Sequence, residues 1–315
     1  MISRPPCSGG HVLAHTTRQL AHRVAIVPLH LPQRSSIRAS RQRRSLEDMS
    51  EPTYEQVFTA LKDSGFLLEQ QVATILERRA FGVRVSASYV DPDEEKPREI
   101  DVVAFRNASQ TNRLGDALAA VLVIECKRSM SPNITFTRPW TEHERAGHPY
   151  QVVLGSPGPF PDESAAMHST VWDGFSLGAP WSQLRLDRVQ RGSQLLRIDR
   201  DKGAFAARSV INDMGMPTIK ATHCYREDWR DKNTIFFPAC VTGGRLLATS
   251  PTIADASELT EIAFASIAVE SRAPWLARVS HSRAYFDIVP FANLNEYIDH
   301  VLSVTEGLAT HLAGS

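Results

Sequence analysis

Apolar positions recur at three- and four-residue steps from Thr53 onward, where Tyr54, Val57, Phe58 and Leu61 line one side of a helix that Ser64-Gly65 ends. A second helical period follows at once. Phe66, Leu68, Val72, Ile75 and Leu76 share its apolar side, and Gly82 closes it after the charged turn Glu77-Arg78-Arg79. The period then changes to two. Val83, Val85, Ala87 and Tyr89 alternate into Asp91-Pro92-Asp93-Glu94-Glu95-Lys96-Pro97, whose prolines and charges do not fit inside a sheet, so a hairpin turn is predicted there.

A strand over residues 99–105, a polar loop over 106–116 and an apolar strand over 120–127 complete the first block. Residues 131–203, rich at first in Pro, Gly, Trp and His and with little periodicity, are expected to form an irregular insertion. Residues 204–225 read as a helix interrupted at Gly215-Met216-Pro217. Strands over 235–241 and 245–249 bracket a Gly243-Gly244 hairpin turn. That turn is no phosphate loop, because no helix opening with Lys-Ser/Thr follows it. Two further strands, 263–270 and 284–289, lead to an amphipathic helix over 294–308. The expected class is α/β in its α+β form, a mixed central sheet flanked by helices.

Charge refines this division. Lys plus Arg and Asp plus Glu each number 35, but residues 1–48 hold eight arginines and two acids, leaving 27 basic against 33 acidic residues from Met49 onward, a net of −6. The first 48 residues carry no sustained apolar period and are expected to be a disordered Arg-rich extension, either a transit leader or a stretch upstream of a start at Met49. Residues 49–315 are expected to form the folded domain. Its mild acidity argues against tight non-specific nucleic-acid binding, which needs many Lys and Arg contacts to phosphate, though a local basic groove stays open. Cys7, Cys126, Cys224 and Cys240 are widely spaced, which fits neither a disulfide framework nor a zinc cluster and suits a reducing cytoplasm. No apolar run reaches the ~18 residues of a bilayer span, so no membrane partner is expected.

Side chains alternate along a strand, so Asp101 shares a side with Val103 and Phe105, while Glu125 and Lys127 stand together at the end of an apolar run. Burying such charges without purpose costs several kcal/mol per ion. Two carboxylates about 4 Å apart repel by roughly 4 kcal/mol at an effective dielectric near 20, and a divalent cation removes that cost. Hard oxygen ligands with room for water suit Mg²⁺ or Mn²⁺. A Lys127 ammonium beside them could orient or help deprotonate a metal-activated water for phosphodiester hydrolysis.

The segments REIDVVAF and, about twenty residues later, VLVIECKRS, preceded by LLEQQVATILERR, resemble the PD-(D/E)XK, or restriction-endonuclease-like, nuclease superfamily, in particular its uncharacterised bacterial members. The likeness covers residues 66–129; Ile100 stands where the name pattern has Pro. It implies a restriction-endonuclease-like fold in which Asp101 and Glu125 bind the metal, Lys127 assists the nucleophilic water, Glu69 on the leading helix is an auxiliary ligand, and the Cys126 carbonyl is a further one. The implied activity is an Mg-dependent, endonuclease-like phosphodiesterase acting on DNA, with RNA the lesser choice and a homodimer open to it. The alternative is a catalytically silent nuclease-like fold that serves as a nucleic-acid or protein binding module.

Overall fold

In a computed structural model of the chain, described for residues 51–111, 117–140, 151–154, 170–172, 189–201, 203–229, 233–270, 273, 275 and 283–314, the elements follow the apolar periods closely at first. Helices α1 (Tyr54–Ser64) and α2 (Phe66–Arg78) are separated only by Gly65, whose φ of 88° ends one and begins the other, a conformation glycine takes without steric cost. Thr53 and Gln56 form a reciprocal capping box at the start of α1. Strands β1 (Gly82–Val90), β2 (Pro97–Thr111) and β3 (Ala117–Lys127) then form an antiparallel meander. β2 runs on through part of the span expected to be a loop, since the ladder to β3 extends beyond Phe105.

Within residues 131–203 the described segments are not irregular. They contribute β4 (Asn133–Arg138), β5 (Gln151–Leu154), β6 (Thr170–Trp172) and β7 (Gln190–Asp201), all members of the sheet. Residues 204–225 are likewise not one helix. They hold strand β8 (Ala204–Ser209), the single turn α3 (Ile211–Met214) and the start of helix α4 (Met216–Asp228), because the 204–209 backbone pairs with β7 while every side chain along it stays exposed. The rest comprises β9 (Thr234–Thr242), β10 (Leu246–Thr249), β11 (Thr260–Glu261), β12 (Ala265–Glu270), β13 (Arg283–Pro290) and helix α5 (Leu294–Gly314). Gly243-Gly244 does not make a hairpin: β10 pairs with β4 and β11, and β9 with β3, β13 and β5.

The thirteen strands form one mixed sheet, with the order β1-β2-β3-β9-β13-β12-β7-β4-β10-β11 and β5, β6 and β8 off that path. β3 is its most apolar member. Leu118 to Ile124 are all at most 5% exposed, alternating between two cores. On one face Leu122 and Ile124 meet Leu68, Val72 and Leu76 of α2 and Tyr297, Ile298 and Val301 of α5. On the other, Val121 and Val123 meet Ala221 and Tyr225 of α4. Each such aliphatic side chain contributes about 1.5–3 kcal/mol on burial, so β3 is the fixed rail of the fold. Residues 52–315 form one compact unit, and no helix among the described residues is long and apolar enough to cross a membrane. The Arg-rich extension expected at 1–48 lies outside the described residues.

Candidate metal centre

The apolar rail ends at Glu125. Its neighbours on β2 stop pairing at the same level: the β2–β3 ladder closes with Val102 opposite Ile124, which places Asp101 opposite Glu125 one step further on. β3 meanwhile stays paired to β9 through Lys127, which lies opposite Thr242. The strands β2 and β3 therefore part at this rung, and the Asp101 carboxylate fills the gap. The Cys126 N–H donates to Asp101 Oδ2 at 2.6 Å, a charge-assisted bond in place of a ladder carbonyl. A strand residue's N–H and C=O address the same neighbour, so the Cys126 carbonyl opens on this gap as well.

Lys127 Nζ lies 2.5 Å from Glu125 Oε1. Glu125 is buried, 9% exposed, while Asp101, Lys127 and Glu69 on α2 are half-buried, so the group sits at the rim of the core and not beneath it. Their charges are mutually felt. Burial pushes the Glu125 carboxyl above its usual range and Asp101 pushes it further, against the lowering effect of Lys127. Burial also raises Asp101, with Glu99 adding to it and the Cys126 N–H and Lys127 opposing. Glu69 is raised by burial, then by Asp101, Glu125 and Glu99. For Lys127, burial disfavours the charge, but the Glu125 hydrogen bond and negative field outweigh it and raise the pKa. Cys126 is a poor thiolate, its pKa raised first by burial and then by the surrounding carboxylates.

Comparison of the chain with family models, curated proteins and solved structures gave no match. The geometry therefore carries the reading of the site alone.

Lys127 and Glu125 touch, Asp101 holds the backbone between them, and Glu69 on α2 is near enough to feel the charges of all three. Among the described residues, however, no three His, Cys, Asp or Glu side chains gather tightly enough to hold an ion by themselves. What remains is two carboxylates and one main-chain carbonyl, with the balance left to water. Mg²⁺ tolerates such a set because it dehydrates reluctantly and keeps several waters. The three carboxyl pKa values are raised first by burial, and for Glu69 and Glu125 then by the neighbouring carboxylates, so the oxygen donors are poorly solvated and fit a hard divalent ion.

Three positioning features had no signal in the periodic pattern. The first is Ser86, in the left-handed region at φ 50°. The β1–β2 register is the same on both sides of it, yet the rung joining Ser86 to Asp101 is the one that does not pair. Across that rung both strands change face: Val83 and Val102 pack in the α2–α5 core, whereas Ala87, Tyr89 and Ile100 pack in the α4 core. A strand of strict period two cannot do this, and the positive φ of Ser86 is the local device that allows it. The second is the Gly243-Gly244 turn, whose Gly243 N–H donates to the Lys127 carbonyl. A Cβ on Gly244 would stand 2.1 Å from the Ser131 carbonyl, so only glycine lets the turn brace the segment after Lys127. The third is Glu99, two positions before Asp101, which adds to the negative field. Arg128, next in the chain after Lys127, is engaged with Asp63 of α1 at 2.5 Å.

Proposed function

We propose that the chain is a metal-dependent nuclease with a restriction-endonuclease-like domain, hydrolysing phosphodiester bonds of DNA in preference to RNA. The observation that carries this is the parting of β2 and β3 at the rung where Asp101 and Glu125 oppose each other, with Lys127 against Glu125. Leading helix, hairpin and apolar strand stand in the order that the motif requires. Asp101, Glu125 and the Cys126 carbonyl would hold Mg²⁺ or Mn²⁺, with Glu69 as an auxiliary acid. Bound there, the cation supplies Lewis acidity at a phosphate oxygen and lowers the pKa of a ligated water.

The protein's own groups set the remaining roles. Lys127, its pKa raised, is an ammonium at neutral pH, so it donates hydrogen bonds and opposes negative charge and does not take a proton. It orients the attacking water or a non-bridging phosphate oxygen. Glu125 fixes the ammonium by the 2.5 Å contact. Asp101 is fixed by the Cys126 N–H, which keeps it from swinging to solvent.

The second reading, a silent module of the same fold, is favoured by the net charge of −6 from Met49 onward, which gives phosphate little general attraction. Cleavage of plasmid, linear and single-stranded DNA and of RNA by the purified chain, with Mg²⁺, Mn²⁺ or EDTA, tests the choice. The nuclease reading expects cation-dependent cleavage that D101N and K127A each reduce at least about a hundredfold, the usual scale for one electrostatic group at a reacting centre. No cation-dependent cleavage of any substrate sinks it in favour of the silent module. Undiminished cleavage by both variants shows that the chemistry resides elsewhere.

A further inference from the structure

Helix α1 carries a complete amphipathic stripe that no described element covers. None of its residues is buried. Tyr54 is 96% exposed, Phe58 53%, Leu61 49% and Val57 41%, and Phe66 at the start of α2 adds a ring that is 59% exposed. The first four recur at i, i+3, i+4 and i+7, the spacing of one helix face, whereas single exposed apolar residues elsewhere need no explanation.

We propose that this stripe is the contact face of a homodimer in which two α1 helices meet antiparallel about a two-fold axis. Two features of α1 select a second copy of this chain as the occupant. The first is area. With three aromatic rings of ~150–250 Å² each among its members, the stripe leaves on the order of 500–600 Å² uncovered per copy. Two copies then bury roughly 1,000–1,200 Å², which reaches the about 1,000 Å² that a specific interface needs.

The second is charge placement. Glu55 lies in the first turn and Lys62 in the last turn of α1, two turns apart and hence on one flank of the stripe. Asp63 is already engaged with Arg128, while Glu55 and Lys62 form no ion pair among the described residues. A two-fold axis through the middle of the stripe brings Glu55 of one copy against Lys62 of the other, and the reverse at the opposite end. A parallel arrangement about a two-fold axis would put this flank on opposite sides of the seam in the two copies and leave Glu55 and Lys62 without each other. The antiparallel pairing is thus the one in which the apolar stripe and its flanking charges are satisfied together. This inference does not depend on the nuclease reading, since it uses no residue of the metal centre.

Sedimentation velocity of the full chain across a dilution series reads the outcome. The wild-type chain is expected to be a concentration-dependent dimer. F58D is expected to be monomeric with an unchanged circular dichroism spectrum, because Phe58 is not part of the core. K62E, which opposes two acids at each end, is expected to weaken the dimer about tenfold, and the swapped E55K/K62E chain to recover it. A wild-type chain that stays monomeric throughout, or a dimer indifferent to F58D, overturns the proposal. A dimer weakened by K62E that the swap does not recover overturns the antiparallel arrangement. A monomer that becomes a dimer only on removal of residues 1–48 shows that the chain's own leader occupies the stripe, and the proposal fails.

Discussion

The Cys126 N–H donates to Asp101 Oδ2 at 2.6 Å across a gap in the sheet, so a side chain from β2 holds the end of β3 where the backbone of β2 no longer does. The bond gives the Asp101 carboxylate two separable roles, as hydrogen-bond acceptor and as negative charge. Asp101→Asn keeps an acceptor and removes the charge, which relieves the repulsion that adds to burial in raising Glu125 and Glu69. The expected outcome is a melting temperature unchanged or raised by about 2–4 °C, the shift that ~1 kcal/mol gives a domain of this size. Mn²⁺ affinity, read by calorimetry, falls at least about tenfold. Asp101→Ala leaves the amide unpaired and is expected to cost about 1–3 kcal/mol instead. If the asparagine variant binds Mn²⁺ as the wild type does, Asp101 is a structural strut and nothing more.

The raised carboxyl pKa values of Asp101, Glu125 and Glu69 give a linkage of definite sign. A carboxyl whose folded pKa exceeds its unfolded value keeps its proton longer in the folded state, so its destabilising effect is absent below the unfolded value near 4 and complete above the folded one. Stability from this cluster therefore declines as pH rises through that window. A divalent cation substitutes for the lost protons. Millimolar Mg²⁺ is expected to raise the melting temperature near pH 7.5 and to do nothing near pH 4, and the difference is expected to vanish in D101N. Thermal melts at the two pH values, with and without the ion, check this. An Mg²⁺ effect that is equal at both would place the ion at some other site.

The parts of this architecture visible in the sequence are those where burial is periodic. α2, β1, β2 and β3 each bury one or both faces, so Leu68, Val72 and Leu76 or the run from Leu118 to Ile124 announce the element directly. Asp101, Glu125 and Lys127 stood out because a charge at the end of such a run is costly without a use. β8 shows the converse. Its side chains from Ala204 to Ser209 are exposed on both faces, so no period records that its backbone pairs with β7, and its alanines read as a helix. β4 and β7 belong to the sheet through partners remote in sequence, such as the Leu246–Thr249 strand beside β4, which no local pattern encodes. The parting of β2 and β3 is also a pairing property, and the left-handed Ser86 that accompanies it occupies an ordinary polar position of an alternating strand.

Ser86 offers a test of how Asp101 is aimed. At φ 50° a β-branched side chain is strongly disfavoured, and holding one there costs of order 1–3 kcal/mol. Ser86→Val is expected to push the rung toward regular pairing with β2 and to turn Asp101 from the gap. Ser86→Gly takes the same φ freely and is expected to behave as the wild type or melt slightly higher. The measurement is Mn²⁺ affinity well below each melting temperature, so that lost stability alone cannot mimic the result. The valine variant is expected to bind about tenfold more weakly. Equal affinity in the two variants would mean that the turnover of the hairpin and the placement of Asp101 are unconnected.

The hairpin that carries Asp101 is itself anchored by charge. Lys220 of α4 lies 3.0 and 2.9 Å from the two oxygens of Asp91 and 2.9 Å from Asp93 Oδ2, and Trp275 donates to Asp93 Oδ1 at 2.6 Å. Asp91 is 4% exposed and also accepts the N–H groups of Asp93 and Glu94, which shapes the β1–β2 turn. Burial alone would raise the Asp91 carboxyl, but the hydrogen bond from Lys220 and those two amides carry it below its usual range. Lys220→Met keeps the stem and leaves that carboxylate buried without its cation, which is expected to cost about 3 kcal/mol. Asp91→Asn in the same chain removes the orphaned charge while retaining the turn acceptor, so the double variant is expected to be more stable than K220M alone. The sign with pH follows. The depressed carboxyl stabilises the fold above its unfolded pKa near 4, and that contribution is lost as pH falls through the folded value, so the gap between wild type and K220M is expected to close on acidification. Urea unfolding of the four chains at pH 7 and in steps down through and below the carboxylate range measures both effects. A gap that persists in acid would assign the role of Lys220 to its methylene stem against the sheet and not to its charge.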